Sequence, residues 1–139
     1  MKLTYLIVLF ISFSQNLFAQ ETTSNIHLTV EGLRNTDGFM LVQVVDKDLN
    51  SVLETKGNVS DIIFTMVLEN ITPGTYGIRI CHDEDENDDM TNNWIGLPKE
   101  GFGYSWDKKV KMKEPDFEEY AFEVNQGQVT EVKIVTQYL

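Results

Sequence analysis

The sequence predicts an antiparallel β-sandwich of six to seven strands that carries one long acidic-aromatic loop. Several segments alternate apolar and polar side chains with the period of two that is typical of a half-buried strand. Turn-forming residues recur roughly every 8 to 12 residues, as they do between the strands of a sandwich. Apolar stripes of helical period extend for no more than about two turns. We therefore expect an all-β protein with one folded domain, which also suits a chain of 139 residues.

The first two predicted strands are separated by a turn-like segment. Residues 26–30 alternate between apolar and polar side chains, which predicts a strand with one buried face. Residues 35–38, NTDG, have the composition of a hairpin turn. Residues 39–46 are apolar on both faces except at Gln43. We therefore expect this second strand at the centre of a sheet.

The next segment is more polar. In residues 46–56, the spacing of Leu49, Val52 and Leu53 predicts one short helical turn over the sheet edge. Residues 59–69 then alternate again and predict another strand.

A proline-glycine turn precedes the strand that leads to the acidic loop. Pro73 fixes φ for the first central position of a turn, and Gly74 is expected to supply a positive φ at the second. Residues 75–82 follow as a strand, with His82 on its apolar face. Strands are also predicted at residues 120–124 and 130–136.

The segment ITPGTY, residues 71–76, resembles the L-x-PGxY corner of immunoglobulin-like and transthyretin-like modules in secreted bacterial proteins. The resemblance is short. It implies a sandwich of the immunoglobulin-like or transthyretin-like type and no particular activity.

The N-terminus has the pattern of a secretory signal peptide. Lys2 precedes the apolar run LTYLIVLFISF, and the small residue Ala19 stands where signal peptidase cleaves. The run is shorter than the roughly 20 residues of a membrane-spanning helix. We expect residues 1–19 to be removed and residues 20–139 to form a single domain in the periplasm or outside the cell. A buried N-terminal strand or an uncleaved anchor are the alternatives.

Cysteine content limits how an exported chain can be held together. Cys81 is the only cysteine, so no intramolecular disulfide forms. No cysteine stands directly after the apolar run, at the expected cleavage site, which argues against a lipid anchor of the bacterial lipoprotein type. Stability must then come from core packing or a bound ion.

The formal net charge of −11 restricts the partners. A field of this sign repels nucleic acid and anionic membrane surfaces, so we expect neither. It attracts divalent cations and basic partners. Solubility alone is an equally ordinary reason for such a charge.

Oxygen-bearing side chains alternate after the central strand in a pattern that suggests calcium. Asp83, Asp85 and Asn87 occupy positions one, three and five of an EF-hand-like loop, with Asp89 at seven and Thr91 at nine. Calcium prefers such oxygen ligands, and the expected dissociation constant is about 10⁻⁴ to 10⁻³ M, as in extracellular modules.

The calcium pattern is degenerate. Asp88 replaces the glycine of position six, and Trp94 replaces the closing glutamate of position twelve. A solvated acidic turn is the alternative interpretation.

His82 and Glu100 are the weak catalytic candidates. A histidine beside Asp83 or Glu100 has the residue types of a general base and its partner. The simpler interpretation is a neutral histidine, partly buried at the end of the sheet, that hydrogen-bonds to the loop backbone. Cys81 is most simply a small buried apolar residue.

Four aromatic residues interleave with glycines after the acidic turn, and they are the candidate ligand-binding residues: Trp94, Phe102, Tyr104 and Trp106. Aromatic rings on a glycine-rich loop form a stacking platform for a sugar or a peptide. The alternative is a plug that closes the open end of the sandwich, because exposed aromatic surface is disfavoured without a partner.

The stretch HDEDENDDMTNNWIGLPKEGFGYS resembles the motif of a secreted bacterial family known as domain of unknown function 2141, which reads roughly HDxNxNGxxDTNxxGxPxEGYGFS. Asp88 and Thr91 depart from it, standing for a glycine and an aspartate. The resemblance implies export and a shared fold, and it carries no activity. The matching residues are His82, Asp83, Asn87, Asn93, Gly96, Pro98, Glu100, Gly101, Gly103 and Ser105.

Three hypotheses of function follow. The leading one is a secreted, non-enzymatic binding or interaction module with a protein or carbohydrate partner, in which calcium orders the acidic loop. The second is a small hydrolase with a site around His82. The third is a purely structural periplasmic domain.

Overall fold

The computed structural model describes residues 23–106, 108–110 and 113–139, which form two packed β-sheets and one short helix. The predicted signal peptide lies outside the described residues. None of the described helices is long and apolar enough to cross a membrane. The elements are β1 Ser24–Glu31, β2 Phe39–Val45, β3 Ser51–Asn58, β4 Phe64–Ile71, β5 Gly74–Asp83, β6 Gly101–Tyr104, α1 Phe117–Tyr120, β7 Phe122–Val124 and β8 Val129–Val135.

The smaller sheet has three strands in the order β4-β1-β8. Strand β1 lies at its centre, where His27 pairs with Val67 of antiparallel β4 and with Glu131 of parallel β8. The strict alternation of buried and partly exposed residues in β1 confirms its prediction as a strand with one buried face.

The larger sheet has the order β3-β2-β5-β6, and β7 also pairs with β5. Strand β7 pairs with the first residues of β5, and β6 pairs with its last. The central position that the sequence predicted for β2 is confirmed, because β3 and β5 flank it on either side.

The core lies between the facing sides of the two sheets. Ile26, Leu28 and Val30 of β1 are almost fully buried, as are Ile78 and Ile80 of β5. Each such side chain stabilises the fold by about 1.5–3 kcal/mol relative to an exposed position. The predicted all-β sandwich is therefore confirmed, with eight strands among the described residues. Its immunoglobulin-like or transthyretin-like type remains a prediction.

The helical turn predicted in residues 46–56 is wrong. The chain reverses at a tight turn in which the Asp46 side chain accepts the backbone N–H groups of Asp48 (2.9 Å) and Asn50 (3.0 Å). It then returns as β3, antiparallel to β2. Leu53 packs against the core, and its neighbours alternate outward. Pairing with the long β2 strand thus overrides a local spacing that is ambiguous between helix and strand.

The hairpin predicted at residues 35–38 is also wrong, because this segment carries the chain from one sheet to the other. Strand β1 pairs with β4 and β8, whereas β2 pairs with β3 and β5. Gly38 has a φ of +67°, and a Cβ there would lie 1.9 Å from the Asp83 carbonyl oxygen. The glycine therefore permits a backbone contact between this crossing and the end of β5.

The turn before β5 is built differently from its prediction. Asn70 adopts the left-handed conformation (φ 61°) that was expected of Gly74, which instead begins the strand. The Tyr76 hydroxyl donates a hydrogen bond to the Thr72 carbonyl at 2.9 Å and closes the corner. The Tyr76 side chain therefore helps to fix this turn, whereas the sequence predicted that Gly74 would do so through a positive φ.

Candidate functional site

The acidic loop, residues 84–100, leaves the last residue of β5 and returns as β6. Residues 76–83 of β5 are buried except for Arg79. Glycines at 101 and 103 let β6 lie against the C-terminal segment, since a Cβ at Gly101 would be 2.6 Å from the Thr136 side chain. The two ends of the loop are therefore held side by side on a rigid sheet.

Asp83 organises the first turn of the acidic loop from a fully buried position. Its carboxylate accepts the backbone N–H of Asn87 at 3.1 Å and that of Asp88 at 2.9 Å. Asp88 is left-handed, with φ 62°. The sharp turn that glycine permits in an EF-hand thus forms here around an aspartate.

Glu100 is buried at the other end of the acidic loop, with 3% of its surface exposed. One carboxylate oxygen accepts the backbone N–H of Glu84 and the other accepts that of Thr91, both at 2.9 Å. This single side chain therefore connects the start of the loop with its middle.

Three carboxylates meet between these ends. Oxygen atoms of Asp83, Asp85 and Glu100 all lie within 4.8 Å of one another, and Asp85 is the exposed member. Only oxygen donors are present in this cluster, which we call the acidic triad. An all-oxygen set suits a hard cation such as Ca²⁺ or Mg²⁺ rather than zinc.

The other predicted calcium ligands surround Asp85 through hydrogen bonds. The Thr91 hydroxyl donates to the Asp85 carboxylate at 3.0 Å and accepts from the Asn87 amide at 2.7 Å. Asp89 lies further along, where its carboxylate accepts the N–H of Met90. The structure thus brings Asp83 and Asp85 together directly, with Asn87 and Thr91 beside them.

Glu100 is the member of the acidic triad that sequence reasoning missed as a metal ligand. The EF-hand template ends at Trp94, so its spacing could not include a residue at the far end of the loop. The family motif does contain this glutamate, and that was the available signal.

Glu84 binds the crossing segment between the sheets. Its carboxylate pairs with the Arg34 guanidinium and accepts a hydrogen bond from the Asn35 amide. The hydrogen bond from Arg34 lowers the pKa of this carboxyl below its usual range. The Glu84 side chain therefore ties the acidic loop to the crossing segment, while its backbone N–H binds Glu100 of the acidic triad.

His82 is fully buried, and both ring nitrogens have partners. Nε2 donates to the Asp37 carbonyl at 2.8 Å, because a carbonyl can only accept. In the neutral ring, Nδ1 then accepts from the Tyr138 hydroxyl at 2.8 Å. Tyr138 in turn accepts the Arg34 backbone N–H at 3.2 Å. These contacts are those of a structural histidine, and they give the hydrolase hypothesis no support.

Cys81 is buried beneath the acidic loop. Its sulfur lies 3.8 Å from the Met90 sulfur and 3.9 Å from a Glu100 oxygen. Burial, followed by the nearby Glu100 carboxylate, raises the pKa of the thiol to about 12. Such a thiol stays protonated and unreactive at neutral pH.

The four aromatic candidates do not form one platform. Phe102 is buried in β6, whereas Trp94 is 95% exposed at the tip of the acidic loop. The Tyr104 ring lies edge-on to Trp106 with centroids 6.2 Å apart, and it also packs on Tyr120 at 5.1 Å. Burial raises the pKa of the Tyr104 hydroxyl to about 12. Tyr104 and Phe102 thus serve packing, and Trp94 stands apart from them.

Comparison with known proteins gives one match. No curated protein and no solved structure matches the chain significantly. The family model described as "Uncharacterized protein conserved in bacteria (DUF2141)" matches residues 28–133, which span β1 to most of β8 and include the whole acidic loop. The resemblance seen in the motif is therefore confirmed, and the chain belongs to the DUF2141 family.

Proposed function

We propose that this chain is a non-enzymatic binding module whose acidic loop takes up a divalent cation, with calcium as the best-suited ion. The observation that carries the proposal is the acidic triad, in which two buried carboxylates and one exposed carboxylate have oxygens within 4.8 Å of one another. A cation shared by the three groups would offset the repulsion between their charges.

The hydrogen bonds within the acidic loop are compatible with a bound cation. Asp83 and Glu100 each accept backbone N–H groups, and an ionised carboxylate offers about four lone-pair sites. Sites therefore remain on both groups for a metal. Calcium tolerates six to eight ligands in flexible geometry, so backbone carbonyls or water would complete its shell more readily than the strict octahedron of Mg²⁺.

The cation would act on the acidic loop as a cross-link. Asp83 and Asp85 belong to its beginning, and Glu100 belongs to its end. Binding to the folded state alone stabilises a protein by about 1.4 kcal/mol at ten times the dissociation constant. The loop would then be ordered by calcium and would present its outer residues as the interaction surface.

The test is calcium titration of the purified protein by calorimetry and thermal unfolding. We expect millimolar calcium to raise the melting temperature, with a dissociation constant of about 10⁻⁴ to 10⁻³ M. Asp85→Asn should weaken calcium binding at least about tenfold, because it removes a charged ligand. It leaves in place the bonds that backbone N–H groups donate to Asp83 and Glu100. Asp61→Asn, an exposed acid outside the acidic loop, is the matched control and should bind as the parent does.

Two outcomes would contradict the cation site. One is an unchanged melting temperature at millimolar calcium, which would favour the purely structural domain. The other is an equal calcium response in the Asp85→Asn and Asp61→Asn variants, which would assign the effect to general charge screening.

Export is also part of this proposal. The N-terminal charge, apolar run and small residue at position 19 support cleavage before Gln20. Mass spectrometry of the protein from its native cells should show a chain that starts at Gln20 in the periplasmic or extracellular fraction. An intact N-terminus in the cytoplasmic fraction would contradict export.

A further inference from the structure

The middle of the acidic loop forms a small hairpin, residues 91–99, which we call the Trp94 hairpin. Its two arms are joined by backbone hydrogen bonds from Lys99 N–H to the Thr91 carbonyl (2.8 Å) and from Asn93 N–H to the Leu97 carbonyl (2.7 Å). The hairpin is therefore a projecting element with its own backbone pairing.

The turn at the tip of the Trp94 hairpin is built by Asn93. Its side-chain oxygen accepts the N–H groups of Ile95 at 3.0 Å and Leu97 at 2.9 Å, and its carbonyl accepts the Gly96 N–H at 3.0 Å. Gly96 has a φ of +82°, and a Cβ there would meet no atom within 4 Å. The turn is thus held by its own hydrogen bonds, and Gly96 packs against nothing, while Leu97 lines a groove with Leu41 and Phe102.

Three large apolar side chains protrude from this ordered tip. Trp94 is 95% exposed, Ile95 is 56% exposed and Leu97 is 44% exposed. Holding them in water forgoes the roughly 25 cal/mol per Å² that burial would provide. A rigid turn that displays adjacent apolar residues indicates a surface that is covered by something else.

The small apolar area of the tip favours a lipid surface as its binding partner. A tryptophan offers about 150–250 Å², so the three side chains together fall well short of the roughly 800 Å² per partner of a specific protein interface. A lipid interface needs no complementary pocket and is the place where tryptophan side chains concentrate in membrane-associated proteins.

Charge decides the kind of lipid. The Trp94 hairpin emerges from the acidic turn, in which Asp85, Glu86, Asp88 and Asp89 are exposed, and the chain carries a net charge of −11. Anionic headgroups would repel these groups, whereas zwitterionic headgroups carry no net charge. A zwitterionic bilayer is therefore the surface that this tip fits.

We propose that Trp94, Ile95 and Leu97 insert into the interfacial region of a zwitterionic lipid bilayer and attach the domain to it reversibly. The attachment uses one shallow apolar contact, so it is weak and holds at millimolar lipid. It does not require a bound cation, because residues 91–99 make the hairpin's pairing and its turn themselves and the Thr91 N–H at its base is bonded to Glu100 in the absence of an ion.

The chain contains two tryptophans, which allows a specific test. Trp106→Phe leaves Trp94 as the only tryptophan emitter. This variant, purified after export, is mixed with phosphatidylcholine vesicles in the presence of EDTA, so that no cation can bridge protein and lipid. We expect a blue shift of Trp94 emission and its quenching by lipids that carry a quencher near the headgroup.

Cosedimentation with the same vesicles measures the binding of protein that lacks the Trp106→Phe substitution. Trp94→Ala should lower the bound fraction at least about fivefold, given the apolar area removed. Trp106→Ala is the matched control, because it removes an equal side chain away from the tip. Circular dichroism checks that each variant is folded.

Several results would overturn the lipid proposal. Trp94 emission that stays at its water-exposed wavelength would do so and would make a protein partner the remaining candidate. So would equal vesicle binding by the parent and Trp94→Ala, or binding that appears only with anionic vesicles. Failure of the calcium titration would leave this result unaffected, since EDTA is present throughout.

Discussion

The Glu100 carboxylate and the Thr91 backbone amide are joined by a 2.9 Å hydrogen bond across the base of the Trp94 hairpin. The second oxygen of the same carboxylate accepts the Glu84 N–H. One buried side chain therefore holds the beginning and the middle of the acidic loop against β6.

Replacing Glu100 should loosen the acidic loop at both contacts. Glu100→Ala removes the acceptor of the Glu84 and Thr91 N–H groups and of the longer bond from Asp85 N–H, so we expect the free energy of unfolding to fall by about 1–3 kcal/mol. Urea denaturation in EDTA measures this loss, and amide exchange should accelerate at Glu84 and Thr91 in particular.

Two further variants serve as comparisons for the stability of Glu100→Ala. Glu100→Gln keeps one side-chain oxygen as an acceptor and should lose less stability than Glu100→Ala. Glu118→Ala removes an exposed glutamate of α1 and should change stability by no more than about 0.5 kcal/mol. Equal stability of Glu100→Ala and Glu118→Ala would show that the contacts at the loop base contribute nothing.

Tyr138→Phe tests the structural role of His82. Removing the hydroxyl leaves the buried Nδ1 without a partner, which should cost about 1–3 kcal/mol of stability. Tyr104→Phe is the control, since the Tyr104 hydroxyl makes no hydrogen bond to any residue that the structure describes. If both variants unfold at the same urea concentration as the parent, the His82–Tyr138 contact is not a stabilising one.

Gly38→Ala should be among the most disruptive single substitutions in this chain. The added methyl would lie 1.9 Å from the Asp83 carbonyl oxygen, so the crossing segment would have to move away from β5. We expect a loss of more than about 2 kcal/mol by thermal or urea unfolding.

Gly127→Ala provides the matched comparison for Gly38. Gly127 has the same φ of +67°, and nothing lies within 4 Å of a Cβ there. Its substitution should therefore cost only the strain of a left-handed alanine, about 1–2 kcal/mol. Similar losses at both sites would mean that the close approach at Gly38 is relieved easily.

Cys81 should resist thiol reagents while the protein is folded. Its pKa of about 12 keeps the thiolate population at pH 8 lower by at least about 100-fold than in the unfolded chain. Labelling with a disulfide reagent should be slow in buffer and complete in denaturant. Rapid labelling of the folded protein would contradict the buried environment.

The same thiol makes stability depend on alkaline pH. The unfolded thiol releases its proton from about pH 9, whereas the folded one keeps it until about pH 12. The unfolded state thus binds fewer protons over this window, and the free energy of unfolding falls as the pH rises through it. Cys81→Ala should reduce that slope in urea titrations between pH 8 and about 10, and an unchanged slope would assign it to other groups.

Most of the strands could be predicted from the sequence because a strand's side chains alternate between two faces. Residues 26–30 show this alternation, and β1 has the buried face that they predict. Strand β3 could not be found this way, since Leu49, Val52 and Leu53 fit a helical turn equally well. Its partner β2 decides the outcome through backbone pairing that local sequence does not encode.

The candidate site, like the strands, could be predicted from the sequence only in part. The spacing of Asp83 and Asp85 indicated a cation loop, and the two carboxylates do meet in the acidic triad. Glu100 was outside the template and enters the triad only because β6 returns beside β5. His82 was expected to be partly buried, and the structure buries it fully between Asp37 and Tyr138, which are about 100 residues apart in the chain.

The sequence by itself determined the β-class of this protein, the position of its acidic loop and its family motif, because each depends on residues close together in the chain. The tertiary structure alone decided which carboxylates face one another, and it separated Trp94 from the other aromatics. The physical reason is that pairing between β5 and β6 closes the acidic loop from both ends, and this contact between distant residues leaves no local pattern in the sequence.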